Sequence, residues 1–145
     1  MNAVCVKRLK ENAILPTYGS SEAAGADLYA CLDEDVVIAP GCSAFIPTGL
    51  AMEIPKGHAG LIYARSGLAC KRGLAPANKV GVIDSDYRGE FIVVLHNHGT
   101  QPQTVCHGER VAQLVITPIV TPAYMEVDAL NDTQRASGGF GSTGK

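Results

Sequence analysis

Tryptophan is absent from this 145-residue chain, and only 18% of its residues are charged. With twelve Lys and Arg against fourteen Asp and Glu, the formal net charge is -2 and no basic run stands out. That leaves no electrostatic footprint for nucleic acid or for an anionic membrane surface. A small anionic ligand is still admissible. No uncharged stretch has membrane-spanning length, and the first residues, MNAVCVKRLKENAILP, carry no apolar signal core. The expectation is a cytoplasmic protein with neither nucleic-acid nor membrane partner. Five cysteines (Cys5, Cys31, Cys42, Cys70 and Cys106) are scattered without a C-x-x-C pair or a cysteine-histidine cluster, so they read as free thiols and not as a zinc site. His58, His96, His98 and His107 share no spacing and fall in or beside turns. They read as structural or solvated.

What is present is a series of short β-type runs. ADLYACL at 26–32, VVIA at 36–39, SAFIPTGLAMEIP at 43–55, AGLIYA at 59–64, EFIVVLHN at 90–97 and RVAQLVITPIV at 110–120 are separated by Pro and Gly punctuation. Only Gly67 to Arg72 has helical character, and Gly73 is placed to stop it. The pattern predicts an all-β sandwich or jelly roll, built as one body without linker or repeat. At this length the chain buries about two thirds of its unfolded surface.

The last eleven residues, RASGGFGSTGK, cannot form core. Gly138, Gly139, Gly141 and Gly144 free the backbone to approach a ligand, and Ser142 and Thr143 supply hydroxyls. Two nucleotide-binding patterns, G-x-G-x-x-G and G-x-x-x-x-G-K, fall inside the stretch, yet neither has the strand before and helix after that it needs. Phe140, alone among glycines, has no core to join. It is suited to close over a flat base.

Four polar clusters interrupt the apolar runs. Asp27 in AAGADLYA is either a turn-capping carboxylate or a functional one. Arg65, Ser66 and Gly67 in ARSGLA bring a guanidinium, a hydroxyl and helix-start amides together, which is an anion site by composition. NKVGVIDSDYRGE at 78–90 places Asp84 after an apolar strand, at the mouth of a sheet where it can orient a water. In GERVAQLVI, the Gln113 amide sits among apolar neighbours and needs a partner if buried.

In order and spacing, AGADLYA, ARSGLA, VGVIDSDYRGE, GERVAQLVI and RASGGFGSTG resemble the five motifs of trimeric dUTPases. The resemblance implies a distorted jelly-roll β-barrel, a homotrimer with shared active sites, and hydrolysis of dUTP to dUMP and pyrophosphate with Mg²⁺. It implies a division into a jelly-roll domain over 1–130 and a C-terminal arm over 131–145 that closes over a neighbouring subunit's site. Carried over, uracil sits in a hairpin running from Asn78 through Tyr87, held by the Asn78 amide and the backbone around Val82 and Ile83, and Ile92 makes a further backbone contact. Tyr87 packs on deoxyribose, and Asp84 binds the 3′-hydroxyl and acts as general base. Asp27 holds Mg²⁺ through water. Arg65, Ser66, Gly67 and Gln113 line the phosphates, joined by Arg135, Gly141, Ser142 and Thr143 from the arm, while Phe140 stacks on the base. Two positions depart from the family pattern: Ala64 stands for a proline and Ala136 for a glycine. The alternatives are a dCTP deaminase or bifunctional enzyme of the same fold, and a non-catalytic jelly-roll binding module.

Overall fold

Short apolar runs joined by tight turns can pair only with antiparallel neighbours, because a parallel pairing needs a long crossover. The computed structural model describes residues 3–142 and Gly144, and every strand pairing in it is antiparallel. The strands are β1 (Cys5–Arg8), β2 (Thr17–Tyr18), β3 (Ala26–Tyr29), β4 (Val36–Ile38), β5 (Ser43–Pro47) and β6 (Leu50–Glu53). They continue as β7 (His58–Tyr63), β8 (Leu74–Pro76), β9 (Gly81–Ile83), β10 (Ile92–Asn97), β11 (Gln103–Val105) and β12 (Arg110–Pro118). One helix, α1 (Ser66–Arg72), follows β7.

A five-stranded sheet in the order β2-β3-β12-β7-β9 faces a three-stranded sheet β5-β10-β8, and the pairs β1-β6 and β4-β11 complete the jelly-roll body. Alternation along each strand decides what goes inside. On β10, Val93, Leu95 and Asn97 are buried while Ile92, Val94 and His96 face outward. Leu28, Ile38, Ile46, Leu74, Phe91 and Val111 join them in one core. Two polar residues are fully buried there, and both are satisfied. Asn97 Nδ2 donates to the Ile38 and Gln101 carbonyls at 2.9 and 2.8 Å. Thr48 Oγ1 donates to the Phe91 carbonyl at 2.6 Å, tying the β5–β6 turn to the start of β10.

The run expected over 43–55 is two strands. Gly49 breaks it at φ +67°, a conformation costly for other residues, in a turn where a Cβ would lie 2.9 Å from both Ala13 Cβ and Cys31 Sγ. The helix ends as expected at Gly73, whose left-handed φ of +66° lets its N–H close on the Ala69 carbonyl at 3.0 Å. Arg72 in the last turn then ties α1 to the body, donating to Gln103 Oε1 at 2.9 Å, to Glu109 Oε2 at 3.0 Å and to the Thr104 carbonyl. Cysteines 5, 31, 42, 70 and 106 are all free, and burial raises the thiol pKa of Cys31 above its ordinary value.

Beyond Ile119 the described chain forms no strand or helix. Its large apolar side chains stay in water: Val120, Tyr124, Met125, Leu130 and Phe140 are each more than four-fifths exposed.

Candidate active site

β9 sits at the outer edge of the five-stranded sheet and takes its backbone bonds from β7, with Gly60 opposite Ile83 and Ile62 opposite Gly81. β8, just before it, belongs to the other sheet. The segment expected to form a hairpin from Asn78 therefore crosses between sheets instead of pairing with itself. The physical consequence is an unpaired strand edge, whose free backbone groups are ready for a ligand.

That edge faces the outward residues of β10 across an open cleft of about 300 Å³. Asn78, Val82, Ile83, Asp84, Tyr87 and Ile92, six of the residues singled out from sequence, line it together. Phe45 and Glu90 line it as well, and nothing in the sequence marked them. Phe45 is 72% exposed on β5, opposite Val94 of β10, and supplies a bare aromatic surface. Glu90 Oε1 accepts the Gly49 N–H at 2.7 Å, which anchors the far end of the Asp84–Glu90 turn to the body. Within that turn the Tyr87 hydroxyl donates to the Glu90 carbonyl at 3.0 Å, and Arg88 Nη1 donates to the Ser85 and Tyr87 carbonyls at 2.8 and 3.0 Å.

A second polar site lies at the other end of β7. Asp27, only 13% exposed at its side chain, meets Arg65 Nε at 2.7 Å and Arg110 Nη1 at 3.4 Å. Two guanidiniums on one carboxylate leave a net positive corner, suited to anions. Ser66 and Gly67 are exposed beside it. Gln113 pairs in register with Asp27 on one side and Tyr63 on the other, and its Nε2 donates to the Ala64 carbonyl at 2.8 Å. Gly25 leaves room for this side chain, since a Cβ there would lie 2.6 Å from Gln113 Oε1. From sequence, Arg110 reads with Glu109 as a subunit contact and not as a partner of Asp27. Only the β3–β12 register brings it beside Asp27, and register cannot be read from one strand's residues alone.

The two sites do not meet within one chain. Asp84 follows Ile83, which pairs with Gly60, whereas Arg65 lies beyond Tyr63 at the opposite end of the same strand. Six residues of extended chain separate those levels, or roughly 20 Å. The arm adds a third element. Arg135 Nε donates to the Gly138 carbonyl at 2.8 Å, Ala136 and Phe140 hold positive φ of +46° and +51°, and Ser142 is exposed. Thr143 lies outside the described residues. Among the described residues no group of three or more His, Cys, Asp or Glu is placed to hold a metal ion.

A jelly roll with an open, edge-lined cleft and a separate cationic corner defines a β-barrel protein built to take a small polar ligand. The dUTPase family model matches residues 11–144. A deoxyuridine 5′-triphosphate nucleotidohydrolase from Syntrophotalea carbinolica is 49% identical over 96% of this chain and 95% of its own length. One of the same name from Desulfitobacterium hafniense is 50% identical, with 99% of each chain covered. Among solved structures, a variant of the Staphylococcus bacteriophage 80alpha dUTPase with dUpNHpp superposes at a TM-score of 0.87 and 30% identity, covering all of both chains. A variant of the phage phi11 dUTPase, described as showing coordination of a structural Mg(II) ion, reaches 0.82 at 29% identity over 90% of this chain and all of its own. The chain belongs to the dUTPase family.

Proposed function

We infer that this protein hydrolyses dUTP to dUMP and pyrophosphate, keeping uracil out of DNA and supplying dUMP for thymidylate synthesis. The observation that carries the reading is the cleft, where Asn78, Val82, Ile83, Asp84, Tyr87 and Ile92 converge beside an unpaired strand edge. Backbone groups there pair with uracil's O2, N3–H and O4. Cytosine presents the opposite donor and acceptor pattern at two of those positions, and leaving buried polar groups unpaired costs a selectivity factor of about 10⁴ or more. Steric limits at C5 exclude thymine. The Tyr87 ring packs on deoxyribose and refuses a ribose 2′-hydroxyl. Asp84 binds the 3′-hydroxyl and removes a proton from the water that attacks the α-phosphorus in line, so the bond to the bridging oxygen breaks and pyrophosphate leaves.

The phosphates lie against Arg65, Ser66, Gly67 and Arg110, with Gln113 holding the Ala64 carbonyl behind them. Asp84 and Ser66 must flank the same α-phosphorus, since reacting groups act only within about 3.5 Å. Their separation along β7 supports a site completed by another copy of the chain. The exposed apolar residues of the arm support the same conclusion, because such surface is normally covered. A homotrimer is the proposed assembly, with Arg135, Gly141, Ser142 and Thr143 reaching the outer phosphates of a neighbour and Phe140 covering its base.

Mg²⁺ is the proposed cofactor. Asp27, already engaged by two guanidiniums, would hold such an ion only through water. When bound, the ion neutralises the triphosphate and fixes its bend. Among the described residues no helix is long and apolar enough to cross a membrane, and the proposed place of work is the cytoplasm.

The test is to incubate the purified protein with dUTP, dCTP, dTTP and UTP, with and without Mg²⁺, and to resolve nucleotides, pyrophosphate and ammonia. Pyrophosphate and dUMP from dUTP alone is the expected result. Ammonia from dCTP moves the assignment to the deaminase branch, and no turnover with ligand retained leaves a binding module.

A further inference from the structure

Gly89 lies two residues after Tyr87 in the turn that leads into β10, and a side chain at 89 has no room. A Cβ built there would lie 2.5 Å from Tyr87 Cζ and 2.9 Å from Cε2, with the phenolic oxygen also in contact. The three atoms nearest to this position all belong to the Tyr87 side chain. Gly89 is not among the glycines at positive φ, so the left-handed backbone does not require glycine there, and the atoms nearest to an added side chain are those of the tyrosine. The ring is held against this bare Cα from two other directions. Its hydroxyl donates to the Glu90 carbonyl at 3.0 Å, and its centroid lies 6.3 Å from that of the buried Phe91.

The seat itself is fixed to the body. Glu90 Oε1 accepts the Gly49 N–H at 2.7 Å, and Thr48 Oγ1 donates to the Phe91 carbonyl at 2.6 Å from a fully buried position. Tyr87 therefore meets the cleft at a depth set by the residue it leans on. A ring resting deeper or shallower by the width of a methyl group changes the room left beside C2′ of a bound sugar.

We propose that Gly89 is the positioning residue for sugar discrimination, its missing side chain letting Tyr87 lie back far enough to receive deoxyribose while still excluding a 2′-hydroxyl. The proposal rests on the dUTP reading above. A methyl group at 89 lifts the ring from its seat and leaves the β9 edge, and with it base selectivity, untouched.

The experiment is a double-substitution cycle on the full chain: wild type, Gly89→Ala, Tyr87→Ala and both together, each assayed for kcat/KM with dUTP, UTP and dCTP. Gly89→Ala should lower the dUTP:UTP ratio by about tenfold or more, the discrimination one methyl-sized change in a pocket carries, with dCTP still refused. With Tyr87 already alanine, adding Gly89→Ala should leave the ratio within about twofold, because the atoms nearest to the new methyl are gone. An unchanged ratio in Gly89→Ala while Tyr87→Ala collapses it overturns the proposal, and so does an equal drop in both backgrounds. If Gly89→Ala does not fold, Tyr87→Phe keeps the ring and releases it from Glu90. It should lower the ratio by a smaller factor, and an unchanged ratio there also overturns the proposal. Wild-type protein that leaves dUTP intact refutes the function instead, so the two failures are separable.

Discussion

The cleft around Asp84 and the cationic corner around Asp27 flank one strand, β7, yet they are built by opposite means. The cleft draws most of its lining from one continuous segment, residues 78–94, and relies on backbone groups of an edge strand braced by buried residues behind it. The corner draws one side chain from each of three distant segments, at Asp27, Arg65 and Arg110, held together by charge. A cleft of the first kind recognises shape and a hydrogen-bond pattern without help. A corner of the second kind offers affinity for anions and little identity. The division suits a ligand with an informative base at one end and a generic triphosphate at the other, provided the two ends are read by different copies of the chain.

The strongest way to break this division is to disable each half in turn. Asp84→Asn should lower kcat by about 10² to 10⁴, the range a general base supplies, while a non-hydrolysable dUTP analogue still binds. Loss of binding in equal measure would make Asp84 a structural residue. Arg65→Ala should be inactive for a different reason, loss of phosphate positioning. Co-refolding the two inactive chains in equal amounts then tests whether sites are shared. Sites completed between copies should recover up to about a quarter of wild-type activity, because random assembly places an intact cleft against an intact corner that often. No recovery would mean that each chain completes its own site and that the β7 geometry has been misread.

A weaker perturbation sharpens the contrast. Asp27→Asn removes the charge that orients Arg65 and Arg110 but leaves the cleft about 20 Å away unaltered. A charged hydrogen bond is worth about 1.5–3 kcal/mol, so kcat/KM for dUTP should fall about 10- to 100-fold. The preference for dUTP over dCTP and UTP should not move. A shift in base or sugar preference would show that corner and cleft are coupled and would end the separation argued here.

The same contrast governs what could be read from sequence. Asp84, Tyr87 and Asn78 were legible because they stand close together in one segment, where local pattern suffices. The corner was half legible. Asp27 and Arg65 stood out, but Arg110 became their partner only through the β3–β12 register, and Glu90 emerged as a brace only because Gly49 turns its N–H toward it. The strands divided similarly. The longer alternating runs were placed to within a few residues, whereas β1, β2, β8 and β11 escaped because two to four residues show no period. The 43–55 run hid its break for a related reason: a turn of Thr48 and Gly49 inside an apolar stretch looks like continuation until the positive φ is seen. Gln113 shows the limit most clearly. Its need for a partner was legible, and the partner, the Ala64 carbonyl across β7, was not.

The arm belongs to neither half, and its smallest irregularity gives the finest test. Ala136 holds φ +46° in a turn where its N–H meets the Thr133 carbonyl at 3.1 Å and the Gly138 N–H meets the Arg135 carbonyl at 2.9 Å. A left-handed alanine costs about 1 kcal/mol more than glycine at such a position. If this turn presents Arg135 to the phosphates, the strain is carried into the closed arm, and Ala136→Gly should lower KM by up to about fivefold, the equivalent of that energy. The order of the arm with bound analogue should rise in step, as measured by protection of its backbone amides from exchange. An unchanged KM together with unchanged protection would mean that the turn is remade on closure. Arg135 would then reach the phosphates from a backbone conformation different from the one seen here, and Ala136 would be a departure from the family pattern without kinetic consequence.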